Sequence, residues 1–164
     1  MRLKPDIDRV RERLYAFWER EVIDRACIAV VAPLEKGANI SMFNNDRDLT
    51  GDPDALRRYW EDPETILKSA IARLERTFLG GEALPIVFQN NGTSGHCQYF
   101  GAKPDYGNDT IWFDPVWKSL SDVKSTYTEK PLNKQLEITR YLVQNAWDEF
   151  FIGIPDNCGT LDAI

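Results

Sequence analysis

The chain is poor in the residues that build disulfide frameworks and metal centres: its 164 residues include three cysteines, one histidine and two methionines. Cysteines at 27, 97 and 158 follow no framework spacing, and an odd number without an export signal points to reduced thiols. The amino terminus, Met1-Arg2-Leu3-Lys4-Pro5-Asp6, lacks the apolar core of a signal peptide. The longest apolar run, Ala26 to Pro33, falls far short of the ~20 residues a membrane helix needs. Basic residues are outnumbered, 20 Lys and Arg against 26 Asp and Glu, for a net charge of −6. General nucleic-acid binding, which needs basic patches, is therefore not expected. Internal repeats and low-complexity segments are also lacking. These absences predict a cytoplasmic protein with neither a membrane nor a nucleic acid as partner, and nothing in the residues specifies an oligomeric state.

What is present is core-forming material. The chain is 43% hydrophobic and carries five Trp, six Tyr and eight Phe, enough for one domain with a sizeable core. Residues 1–25 read as a helix, with Ile7, Val10, Leu14, Phe17 and Trp18 at three- and four-residue steps and Asp6 placed to cap it. Cys27 to Pro33 lacks polar alternation and fits a strand covered on both faces, with Cys27 as packing. A polar connection from Leu34 to Gly51 follows, long enough to suggest function. Asp52-Pro53 and Asp62-Pro63 each place a capping carboxylate before a proline at the first helical position. The second opens an amphipathic helix through Ile66, Leu67, Ala70, Ile71, Leu74 and Phe78, closed by Gly80-Gly81. Strand, helix, strand in that order predicts a βαβ unit.

The second strand, Leu84 to Phe88, runs into Gln89-Asn90-Asn91, a Gly-Thr-Ser-Gly turn and His96-Cys97. A buried strand emptying into a polar, glycine-bearing loop is how α/β proteins build ligand sites. Further on, Asp109 to Phe113 reads as a short strand and Asp114-Pro115 as the start of a helical turn through Trp117, Leu120 and Val123. Pro131-Leu132 opens a helix whose buried stripe reads Leu136, Thr139, Leu142, Val143 and Ala146. Phe150 to Pro155 is the third buried strand, emptying into Asp156-Asn157-Cys158-Gly159-Thr160. Three parallel strands leave raw edges, whereas a closed (β/α)8 barrel takes roughly 250 residues. The expected fold is thus α/β: the amino-terminal portion of a TIM barrel with about three parallel strands. Residues 1–25 form its leading helix and residues 26–164 its first three βα units, the last incomplete.

The layout resembles the uroporphyrinogen decarboxylase superfamily, which includes corrinoid-linked methyltransferases. The resemblance rests on Ile23-Asp24-Arg25 entering the first strand, Tyr59-Trp60-Glu61-Asp62-Pro63-Glu64, Thr110-Ile111-Trp112-Phe113, and Ile152-Gly153-Ile154-Pro155 followed by Gly159-Thr160-Leu161. It departs from the decarboxylases in two places. Their arginine-rich motif after the first strand is replaced by Pro33-Leu34-Glu35-Lys36-Gly37-Ala38-Asn39, and their Phe-Ser-Asp by Phe88-Gln89-Asn90. The resemblance then implies methyl transfer between a small donor, a corrinoid protein and a thiol. Decarboxylation of uroporphyrinogen or a related carboxylate is the alternative, and a non-catalytic binding domain the reading if the chain is complete. As part of a barrel, the chain alone is expected to show no turnover. The resemblance also implies a zinc ion, bound by residues outside this chain; no metal ligands are assigned here, because adjacent His96 and Cys97 point apart in an extended segment.

The candidate catalytic residues are Asp156, an acid at a strand end suited to general-base work, Asn90 in the place of the family's aspartate, and Cys158. The Cys158 thiolate would gain from the start of a following helix. Asn91, His96 and Asn157 are the candidate substrate contacts. For each there is a plainer role: Asp156 as a helix cap, the amides as loop partners, the cysteine as packing.

Overall fold

A computed structural model describes residues 1–41, 47–123 and 127–155. Helix α1 spans Ile7–Trp18 and strand β1 Ala29–Pro33; α2 (Pro53–Glu61) and α3 (Pro63–Glu75) follow, then β2 (Thr77–Gly81) and β3 (Ile86–Phe88). A 3-10 turn at Gly95–Phe100 leads to β4 (Pro104–Tyr106) and β5 (Ile111–Phe113). After a second 3-10 turn at Leu120–Asp122 come α4 (Glu129–Gln144) and β6 (Phe151–Gly153). The fold is mixed α and β, and among the described residues the strands form three two-stranded sheets: β1–β2 antiparallel, β4–β5 antiparallel and β3–β6 parallel.

The two Asp-Pro starts fold as read. Asp52 accepts the Ala55 N–H at 2.9 Å and Asp62 the Thr65 N–H at 2.8 Å, each with proline opening the helix. Asp6 does not cap α1; it pairs instead with Lys4, 3.1 Å away, whose ammonium is buried and donates to the Leu79 carbonyl at 2.9 Å. α1 is also shorter than residues 1–25: Ile7 and Val10 are buried, whereas Phe17 and Trp18 lie exposed beyond the contact.

The core forms where α3 and α4 cover the parallel pair. Leu67 and Leu74 of α3, Val87 of β3, Ile138 and Leu142 of α4, and Phe150 make one buried cluster. The expected stripe on α4 is rotated, for Leu136 and Val143 are exposed and Ile138 fills the interface. The βαβ connection lies between β3 and β6 through α4, with Ile86 opposite Phe151 and Phe88 opposite Gly153.

The first strand departs most from expectation. β1 does not join β3; it pairs with β2 antiparallel, Ala29 opposite Gly81 and Pro33 opposite Thr77, and exposes Val30 and Val31. The helix read as running to Phe78 closes earlier. The Thr77 hydroxyl bonds back to the Arg73 carbonyl at 2.7 Å and the chain turns into strand. Gly81 then serves the ribbon: its φ is +57°, and a Cβ there would lie 2.0 Å from the Ile28 carbonyl oxygen. Buried Glu82 locks the crossing, accepting the Ile28 N–H at 2.7 Å and pairing with Arg25 at 2.8 Å and Arg13 at 3.3 Å. The turn read after Asp114-Pro115 is confined to the 3-10 turn Leu120–Asp122. Among the described residues, no helix is long and apolar enough to cross a membrane.

Candidate functional site

A cleft of about 560 Å³ opens between α2, α3 and the carboxyl end of β3. One face of α3 forms its wall, because Ile66, Ser69, Ala70 and Arg73 recur at three- and four-residue steps. Ser69 and Ala70 are small and leave the space open. Opposite, Tyr59 and Trp60 of α2 supply aromatic surface. The Trp60 indole N–H donates to the Gly107 carbonyl at 2.8 Å, which fixes α2 against the turn between β4 and β5. Glu61 strengthens the same joint: it accepts the Tyr106 hydroxyl and pairs with Arg57 at 2.9 Å. Burial and the Glu61 carboxylate both raise the Tyr106 phenol above its ordinary pKa, so the hydroxyl stays a donor. Phe88 and Asn90 close the strand side.

The cleft's charged side chains are all basic among the described residues. Its lining holds five cations, Arg47, Arg58, Lys68, Arg73 and Arg76, and no carboxylate among the described residues. Lys68 pairs with Glu64 at 2.5 Å. Arg73 differs: it is half-buried, its Nη2 donates to the Ile86 carbonyl at 3.1 Å, and no acid meets it among the described residues. Burial lowers its pKa, since the charged form loses water without gaining a carboxylate.

The strand exit sorts the expected site residues by alternation. Asn90 lines the cleft, its Oδ1 accepting the Gly92 N–H at 2.9 Å in a tight turn. Gly92 has a φ of +74°, and a Cβ there would stand 2.8 Å from the Ile111 carbonyl oxygen. Asn91 faces inward and does not line the cleft: it is buried, and its Oδ1 accepts Gln89 Nε2 at 3.3 Å. Gln89, 1% exposed, in turn accepts the Thr139 hydroxyl of α4 at 2.8 Å. His96 lies in the 3-10 turn, away from the cleft lining, with a buried Nδ1 that lacks a hydrogen-bond partner among the described residues. Asp156, Asn157 and Cys158 lie outside the described residues.

Cys27 and Cys97 form no disulfide among the described residues, and Cys27 Sγ lies 3.4 Å from the Arg13 carbonyl oxygen. Among the described residues, no three His, Cys, Asp or Glu side chains converge to hold a metal ion. His96 and Cys97 alone do not fit a zinc site, which takes at least three protein ligands.

Arg73 and Gln89 are not among the residues expected at the site. The signal for Gln89 is the two-residue period itself, which puts it on the face of Asn91 and opposite Asn90. For Arg73 the signal is its three- and four-residue spacing from Ser69 and Ala70. No family model, curated protein or solved structure matches the chain.

Proposed function

We propose that the chain forms the amino-terminal part of a uroporphyrinogen decarboxylase-like barrel and contributes one wall of a small-molecule site. On this reading β3 and β6 are neighbouring parallel strands of the barrel, and the site lies where they end. The observation that carries the proposal is Asn90: it leaves β3 at the carboxyl end and lines the cleft. The reaction proposed is methyl transfer between a small donor, a corrinoid protein and a thiol. An amide at Asn90 suits that chemistry, because a neutral hydrogen-bonding group can hold a polar substituent without competing for a proton. No step is routed through zinc, since the described residues do not fit it.

The test is corrinoid binding. Titrating the chain with hydroxocobalamin should give saturable binding, weakened several-fold in Asn90→Ala, the loss of about one hydrogen bond. Saturable binding of uroporphyrinogen in place of hydroxocobalamin would replace methyl transfer by decarboxylation. Absence of binding to both would overturn the enzyme reading in favour of a non-catalytic binding domain.

A further inference from the structure

Within that cleft, the geometry points to an oxyanion site: Arg73 at its depth and Arg58 at its rim hold a carboxylate or phosphate group of the ligand. The inference rests on the cleft being the ligand site, and it does not depend on which reaction follows. Three observations carry it. The chain has net charge −6, yet two cations of the described lining of this cleft, Arg58 and Arg73, meet no acid among the described residues. Arg73 is withdrawn from water by α3 and β3, and its hydrogen bond to the Ile86 carbonyl engages Nη2, leaving the rest of the guanidinium fork without a partner among the described residues. Arg58, exposed on the facing helix α2, likewise has no ion-pair partner among them.

A half-buried guanidinium with no carboxylate is a destabilising arrangement. Elsewhere in this chain arginines near the surface are matched: Arg13 and Arg9 to Asp24, Arg25 to Glu82, Arg2 to Glu149, Arg57 to Glu61. Arg73, half-buried, meets no acid among the described residues, and an oxyanion entering between α2 and α3 would supply the missing charge. The guanidinium presents paired donors that fit two oxygens at once, whether planar carboxylate or tetrahedral phosphate. Asn90, which also lines the cleft, would meet an uncharged part of the same ligand.

Calorimetric titration with citrate and with inorganic pyrophosphate, at matched ionic strength, tests the site. Saturable binding of either probe is expected; citrate alone identifies a carboxylate site and pyrophosphate alone a phosphate site. Arg73→Met should weaken binding about tenfold to a hundredfold, as loss of a charge-assisted contact does. Arg58→Gln, at an exposed position that leaves folding intact, should weaken it less and in the same direction. In the absence of ligand, Arg73→Met should raise the thermal midpoint, because it removes an uncompensated charge. Failure of wild-type protein to bind either probe overturns the inference, as does equal binding by Arg73→Met. A lowered ligand-free midpoint with unchanged binding would make Arg73 a strap for the Ile86 carbonyl and nothing more. Corrinoid binding that persists without oxyanion binding leaves the proposed reaction standing alone. Oxyanion binding without corrinoid binding leaves this site standing and removes the reaction.

Discussion

Single residues in this chain do work that their type alone does not announce. Gly81 reads as an ordinary helix stop, but its place is the end of β2, where the Ile28 carbonyl oxygen approaches the position a Cβ would occupy. Gly81→Ala should cost about 2 kcal/mol, from a left-handed backbone and the displaced carbonyl together, read as a fall in the urea midpoint. An unchanged midpoint would mean the ribbon can shift freely at that end. Glu82, next in sequence, looks like a surface acid and is buried beneath two arginines. Nothing in a single sequence marks it, because its partners Arg13 and Arg25 come from more than fifty residues away. Asn90 was legible for the opposite reason: the change from apolar strand to polar loop is local and visible in the chain itself. Arg73 was not, since a charge within an amphipathic helix reads as its solvent face until the facing helix is known.

Among the elements, starts were easier to read than stops or partners. An Asp-Pro pair carries its own chemistry, so α2 and α3 begin where the residues place them. Asp62→Ala should cost about 1 kcal/mol, and Asp62→Asn much less, because the amide oxygen still accepts the Thr65 N–H. Strand identity was likewise visible in the apolar runs at residues 27–33 and 84–88, but pairing was not. The partner of β1 is a segment whose Phe78 continued the helical period of α3, and a strand cannot declare its neighbour when that neighbour reads as helix. On α4 the stripe was misplaced by part of a turn, since Leu136 and Val143 are as apolar as Ile138 and only packing decides between them. This gives a direct contrast. Leu142→Ala, in the core, should lose roughly 2–5 kcal/mol, while exposed Val143→Ala should be within about 0.5 kcal/mol of wild type. Equal losses at the two positions would restore the sequence-read face.

For the whole molecule, the order of apolar runs and helical periods indicated α/β structure, and the described residues form a mixed α and β fold with a core around α3, α4 and the β3–β6 pair. That order could not reveal that the described strands divide into three two-stranded pieces, because strand number follows from apolar runs and strand grouping from long-range contacts. Ion pairs hold the pieces to the core. Arg13 links α1 to Asp24 and Glu82, Arg25 joins Glu82 to the entry of β1, and Arg2 ties the amino terminus to Glu149, just ahead of β6. Hydrogen bonds from Arg25 hold the Glu82 carboxyl below the usual carboxylate range, Arg13 and Arg9 do the same for Asp24, and Arg2 does so for Glu149. Each is a carboxylate with a depressed folded-state pKa, so the unfolded chain binds protons first as acid is added. Their contribution is complete above about pH 4.5, where both states are ionised, and is lost as the pH falls through the folded values. Urea midpoints measured from pH 7 down to pH 3 should therefore stay level and then drop steeply below pH 4.5. Glu82→Gln should begin lower, by about 3 kcal/mol for a broken buried pair, and show a shallower acid limb because one linked proton is gone. A variant curve that runs parallel to wild type throughout would mean that the Glu82 charge contributes nothing to joining the β1–β2 ribbon to α1.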